Sequence, residues 1–271
     1  MRRGRPTHAV VSLPLLDVRT EPRHAAELGS QLLMGETVEL PGRAPRAGWH
    51  RVRNEADGYR GWVRAWGLVP GSRARVAGWR RAARATVGVP IGMVLAAPGS
   101  STAVSPVFLG ARLIAGRARA GWLPVKLPDG RRGHLPVGAL AGRRPPGLTD
   151  RVSSLLGVPY LWGGRSPAGY DCSGFVQQVL LEQGLGLPRD ARHQCAASRP
   201  LAARERPLPG DLACFRRPGE PASHVGVCLG GGYFAHCRGR VAIASMEIGN
   251  PLYDKELGPQ FMGWYRPHPL A

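Results

Sequence analysis

Cys172 is the residue of this 271-residue chain whose setting most suits it to covalent chemistry. It follows a glycine-rich stretch, Trp162-Gly-Gly-Arg-Ser-Pro-Ala-Gly-Tyr-Asp171, and opens an apolar-periodic run. A thiol at a helix start feels the positive end of the helix dipole, which stabilises the thiolate near neutral pH. Asp171 is placed to cap that helix. Phe175, Val176, Val179 and Leu180 fall three and four apart and predict one buried face, while Gln177, Gln178 and Glu182 are expected to face solvent. Gly184 is a natural stop, so the spacing predicts a helix over residues 172–183.

A nucleophilic thiol requires a base, and the base an orienting partner. Residues 222–230 read as a strand with His224 at its start, and residues 232–237 as a second strand after a Gly-Gly-Gly turn. A hairpin of the two brings His224 and His236 to adjacent positions facing the helix start. His224 then pairs with Cys172, and His236 binds the far nitrogen of His224 and fixes its tautomer. A lone histidine is more often structural. Two at matching strand positions behind a helix-opening cysteine point to acyl transfer, with the Cys172 N–H and the Tyr160 hydroxyl as oxyanion donors.

These residues sit in a series of signatures: Pro159-Tyr-Leu-Trp-Gly-Gly164, Asp171-Cys-Ser-Gly-Phe175, Pro209-Gly-Asp-Leu212, His224-Val-Gly226 and Phe234-Ala-His236. In content and order they resemble the NlpC-type cell-wall peptidases, a papain-like cysteine peptidase family, over roughly residues 149–271. The resemblance implies an α+β protein whose papain-like domain packs a nucleophile-bearing helix on an antiparallel sheet. It implies Cys172, His224 and His236 as a Cys-His-His triad, with no metal or organic cofactor. Asp211, in a Pro-Gly-Asp-Leu turn, is read as structural.

The N-terminal half contains a repeat. Trp49 aligns with Trp122, Val52 with Val125, Asp57-Gly58 with Asp129-Gly130, and Gly61 with Gly133. Strand–turn–strand units with Asp-Gly turns and one tryptophan each indicate small β-barrels. They resemble bacterial SH3-like domains. The expected plan is an SH3-like domain at 1–72, a second at 73–145 and the peptidase domain at 146–271. Residues 71–84 read as a linker between barrels and residues 141–147, with paired prolines, as the linker into the last domain. Thr149 or Asp150 is expected to cap a short helix through Leu156.

Composition narrows the partners. The formal net charge is +19, yet lysine occurs only at Lys126 and Lys255. The arginines are scattered and no aromatic-interleaved basic platform accompanies them, which argues against nucleic acid. The five cysteines form an odd set without a CxxC pair, which argues against a disulfide framework and a zinc site. Cys214 and Cys228 read as buried packing residues. The basic start at residues 1–5 precedes only a short apolar run broken by Pro14, and no stretch is long enough to span a membrane. The expected location is the cytoplasm.

The domain plan and residues 13–22 and 26–31 resemble the recycling branch of the family, the γ-D-glutamyl-L-diamino acid endopeptidases. Those enzymes act on stem peptides with a free N-terminal L-alanine, so the implied partner is L-Ala-γ-D-Glu-diamino acid. By the same resemblance the first barrel forms one side of the cleft and Tyr59 closes over the bound dipeptide. Glu27, with Asp171 beside it, accepts the amine, and Glu21 is its local competitor. Tyr160 and Trp162 line the cleft, and Ser173 and Asp190 contact substrate. Ala191 departs from the pattern, which often has a small hydroxyl residue there. A wall-degrading endopeptidase and a thiol amidase or acyltransferase share this chemistry. The sequence leaves the diamino acid and the oligomeric state open.

Overall fold

The computed structural model describes residues 5–41, 47–142 and 144–268; the basic start at residues 1–4 and Arg143 of the second linker lie outside them. The chain divides into two compact units, Met1–Arg144 and Pro145–Ala271.

The first unit holds two antiparallel barrels. β1 (His8–Val11), β2 (Leu15–Arg19), β3 (Leu28–Leu33), β4 (Thr37–Glu39), β5 (Trp49–Asn54), β6 (Arg60–Arg64) and β7 (Leu68–Gly71) form a sheet in the order β3-β2-β6-β5-β4-β1-β7. Alternating residues such as Ala9, Val11, Leu16, Val18 and Val63 fill its core. After α1 (Arg73–Ala82) come β8 (Ala85–Thr86), β9 (Ile91–Leu95), β10 (Ala103–Phe108), β11 (Arg112–Ala115), β12 (Trp122–Lys126) and β13 (Arg132–Pro136), in the order β10-β9-β13-β12-β11-β8. The repeat read in the sequence is one turn device used twice. Asp57 Oδ1 accepts the Tyr59 N–H at 3.0 Å between β5 and β6, and Asp129 Oδ1 accepts the Arg131 N–H at 3.1 Å between β12 and β13.

Residues 71–84 are not a plain linker. Ser72 Oγ accepts the Arg75 N–H, and the following arginines and alanines, good helix formers, build α1. Val76 is buried and the Trp79 indole N–H donates to Gly35 O at 3.1 Å, so this helix is docked.

The second unit runs α2 (Leu148–Ser153), β14 (Arg165–Ser166), β15 (Gly169–Tyr170), α3 (Cys172–Glu182), α4 (Ala191–Ala196), β16 (Ser198–Pro200), β17 (Leu212–Phe215), β18 (His224–Gly230), β19 (Tyr233–Arg238), β20 (Arg240–Ser245) and β21 (Phe261–Pro267). Its antiparallel sheet has the order β16-β21-β17-β18-β19-β20, and α3 packs on β18 and β19. The fold is therefore α+β, with few helices on mostly antiparallel sheet.

Three expectations fail here. α2 starts after Gly147 without a side-chain cap and ends at Ser153, where the Leu155 and Leu156 N–H groups turn to the carbonyls three residues back, while Arg151 points inward and forks onto Glu182 at 2.5 and 2.7 Å. Gln177 and Gln178 do not face solvent; they are 3% and 2% exposed. α3 has the sheet on one side and α2, α4 and β14 around the rest, and Gln177 donates its amide N–H to Leu187 O at 2.9 Å. Finally, Cys195 of α4 and Cys214 of β17 form a disulfide with a Cα–Cα distance of 6.2 Å. An odd cysteine count leaves a thiol over but does not prevent a pair that tertiary docking brings together. Cys172, Cys228 and Cys237 are buried free thiols. Among the described residues no helix is long and apolar enough to cross a membrane.

Candidate active site

α3 begins at Cys172 because Asp171 caps it, Oδ1 accepting the Gly174 N–H at 2.6 Å. The loop before it lies hard against the first turn: a Cβ on Gly174 would fall 2.2 Å from Gly164 O, so only glycine fits. The Asp171 carboxylate also accepts the Gly163 N–H at 3.0 Å and the Ser173 hydroxyl at 3.2 Å. Arg189 forks onto both its oxygens at 3.0 and 2.6 Å and reaches Ser173 Oγ at 2.9 Å. Arg189 is buried, and this hold on Asp171 is a role that the sequence analysis did not give it within the 188–190 segment. The signal was available: a buried acid beside a nucleophile needs a counter-charge, and arginine supplies a bidentate one.

Cys172 is not a preformed low-pKa thiolate. Burial and the Asp171 carboxylate push its thiol up to about 11, against the Val225 and Ser173 N–H groups that donate to the sulfur and the Arg189 charge. The Val225 bond sets the sulfur beside the start of β18, where His224 stands.

β18 and β19 pair Gly226 with His236, which puts His224 and His236 on one face. A side chain at Gly226 would meet the Phe234 ring at 2.7 Å and His236 Cβ at 3.3 Å. With none there, His224 Nε2 and His236 Nδ1 approach to 2.9 Å, the rings at 84°. Phe215 flanks His224 at 5.6 Å and Phe234 flanks His236 at 5.1 Å between centroids. Burial pushes His224 down to about 3, with His236 and Arg238 adding to it, and His236 down to about 4. Both imidazoles rest neutral.

The remaining predicted residues divide by unit. Tyr160 is half-buried with its N–H on Gly239 O at 2.8 Å. Burial, with the nearby Cys172 and Asp171, raises its hydroxyl pKa, so it stays a donor. Trp162 is 59% exposed. Ser173 is buried and held by Asp171 and Arg189. Asp190 precedes α4 without a side-chain cap bond and lies 3.4 Å from His193 Nδ1, while Ala191 is buried. Asp211 takes Arg266 on both oxygens at 3.0 and 2.8 Å, tying β21 to the turn before β17. In the first unit the Tyr59 ring packs on the barrel core, its hydroxyl over Gly29, two residues after exposed Glu27. Glu21 is taken by Arg23 at 3.1 Å, which lowers its carboxyl pKa. His8, Glu39 and Glu55 gather their ligand atoms within 4.8 Å, but Arg53 and Arg80 pair with the two carboxylates.

Residues 157–257 match the NlpC/P60 family. The chain carries an NlpC/P60 domain. Ahead of it, residues 18–68 match the bacterial dipeptidyl-peptidase SH3 domain. The NlpC/P60 region is similar to a γ-D-glutamyl-L-lysine dipeptidyl-peptidase of Bacillus subtilis, 38% identical over 38% of this chain and 35% of that protein. It is also similar to a murein DD-endopeptidase/murein LD-carboxypeptidase of Escherichia coli, 34% identical over 40% of this chain and 57% of that protein. Probable endopeptidases of Mycobacterium bovis and Mycobacterium tuberculosis are 30% identical over 49% of this chain, which spans 31% of their length. The fold is similar to that of an NlpC/P60 family protein from Bacillus cereus, with a TM-score of 0.80, 19% identity, and coverage of 97% of this chain and 100% of that one.

Proposed function

We propose that this chain is a cysteine peptidase that hydrolyses the γ-D-glutamyl–L-diamino acid bond of peptidoglycan stem peptides bearing a free N-terminal L-alanine. The observation that carries the reading is the 2.9 Å His224–His236 bond, set beside a thiol at the first residue of α3. Cys172, His224 and His236 act as the triad.

Thiol and imidazole start neutral, so no resting ion pair is needed. As the γ-carbonyl of D-glutamate meets the sulfur, His224 Nδ1 takes the thiol proton while the S–C bond forms. The Cys172 N–H and the Tyr160 hydroxyl face the developing oxyanion. His224 then hands its proton to the departing amine, and water activated by the same imidazole hydrolyses the thioester. No step uses a metal or organic cofactor.

In this reading the first barrel forms one side of the cleft. Tyr59 closes over the dipeptide, and Glu27, with Asp171, accepts the α-amine. Trp162, Ser173 and Asp190 complete the walls, and the boundaries 1–72, 73–145 and 146–271 belong to the same proposal. The name of the Bacillus subtilis relative supports the choice of bond.

Cys172→Ala should abolish release of L-Ala-D-Glu from L-Ala-γ-D-Glu-diaminopimelate, read by mass spectrometry, with folding intact. N-acetylating the substrate should slow the unmodified enzyme far more than extending its C-terminus. Turnover by Cys172→Ala, or equal rates on blocked and free peptides, refutes the scheme.

One observation favours a second reading, an endopeptidase of intact peptidoglycan. The Cys195–Cys214 disulfide suits an oxidising compartment, whereas muropeptide recycling belongs to the cytoplasm. Release of soluble fragments from purified sacculi, together with a disulfide trapped intact in cells, would decide for the wall enzyme.

A further inference from the structure

A hydrogen bond between two imidazoles takes one donor and one acceptor. For His224 to receive the thiol proton on Nδ1, its Nε2 must carry hydrogen, so His236 Nδ1 is the acceptor across the 2.9 Å bond. Neutral His236 then holds its own proton on Nε2. That N–H requires a partner on the side away from His224.

His236 lines a cavity of about 420 Å³ together with Arg238, Tyr253, Asp254, Lys255 and Glu256 among others. Asp254 is the best-anchored acid in it. Its Oδ1 accepts the N–H groups of Glu256 at 3.0 Å and Leu257 at 2.9 Å, while Oδ2 lies 3.6 Å from Arg238 Nη1. Arg238 gives its other arm to Glu256, which is mostly exposed. The Asp254 charge favours the protonated form of His236 and the Arg238 charge disfavours it.

We propose that Asp254 is a positioning residue for the triad, acting on His236 across this cavity, and that Arg238 sets how strongly its charge is felt. The inference rests on the peptidase reading above. When His224 becomes a cation in the first step, its charge is shared with His236 and steadied by the carboxylate behind, without net proton transfer to Asp254. The charged and titratable groups gathered around His236 are His224 from β18, Arg238 from its own strand, and Tyr253, Asp254, Lys255 and Glu256 from the turn before the last strand. β20 places Ala242 opposite His236 and Arg240 opposite Arg238.

Asp254→Asn tests this, because the amide oxygen can still cap Glu256 and Leu257 while the charge is gone. On L-Ala-γ-D-Glu-diaminopimelate, kcat should fall about tenfold with KM nearly unchanged, a rise of about 1.4 kcal/mol in the barrier. The acid limb of the kcat profile should move to lower pH by roughly half to one unit, the scale of one partly screened charge. Arg238→Gln should move the limb the opposite way. Imidazole NMR titrations in the Cys172→Ala background read the same shifts at His236 without turnover. Opposite shifts from the two variants support the inference. A His236 titration unmoved by either overturns it, however active the enzyme. The expected His236 shifts in an unmodified enzyme that cleaves nothing would support the coupling and overturn the peptidase reading instead.

Discussion

Arg189→Met should destabilise the protein strongly. The guanidinium is 1% exposed in its side chain and bonds Asp171 at 2.6 and 3.0 Å, so solvent screens the pair very little. Removing one partner of a buried pair costs about 3–5 kcal/mol, because the surviving charge stays buried. Asp171 keeps the Gly163, Ser173 and Gly174 donors, which sets the expectation near the lower end, about 3 kcal/mol. For a unit of this size that is a Tm drop of roughly 12 °C. Asp171→Asn preserves the cap and should cost a similar amount by stranding Arg189. The double variant should therefore recover about 2–3 kcal/mol relative to the sum. Urea unfolding of the four proteins gives the cycle. A loss below about 1 kcal/mol in Arg189→Met, or strict additivity, refutes the reasoning. The thiol offers a second readout: with the Arg189 charge gone, Asp171 acts unopposed, and alkylation of Cys172 by iodoacetamide at pH 8–9 should slow.

The other predictions follow from single contacts. Reducing the Cys195–Cys214 bond frees a loop spanning a sequence separation of 19, which the chain-entropy relation values at about 3 kcal/mol. An unchanged urea midpoint in dithiothreitol would count against it. Gly226→Ala drives a methyl to 2.7 Å from the Phe234 ring and 2.9 Å from Ala235 O. Overpacking of this kind costs about 1–3 kcal/mol and should part the imidazoles; wild-type stability and turnover refute it. Burial holds His224 at about 3 and His236 at about 4, below the ordinary value near 6.5. Between those values the unfolded chain binds more protons, so stability should fall as pH drops from about 6.5 to about 4 and be flat above 7. His236→Asn should flatten that slope; the same slope in the variant refutes the assignment.

The parts of the fold written in local pattern were legible. Asp171-Cys172 marks a cap and a helix start, and observed α3 ends one residue before the expected boundary. The Asp57-Gly58 and Asp129-Gly130 turns carry their own hydrogen-bond chemistry, so the two barrels followed from them. What escaped depends on partners far along the chain. Gln177 and Gln178 look like a solvent face until Leu187 and the packed elements around α3 are in place. Arg189 looks like one of many arginines until Asp171 is seen buried beneath it. Cys195 and Cys214 become partners only once α4 docks on β17. The thiol pKa is non-local in the same way. The helix start is local, whereas the desolvation and acidic neighbour that outweigh it come from the assembled site.

The sulfur cross-link has one more effect, on the chain's tolerance of proteolytic nicks. Between α4 and β17 the backbone passes through the exposed residues 202–204, where a protease can reach it. A cut there leaves two fragments that cannot diffuse apart, since Cys195 lies on one side of it and Cys214 on the other. Cys172 and Arg189 stay on the upstream piece and His224 and His236 on the downstream piece, so a nicked molecule keeps its thiol and its imidazoles tethered.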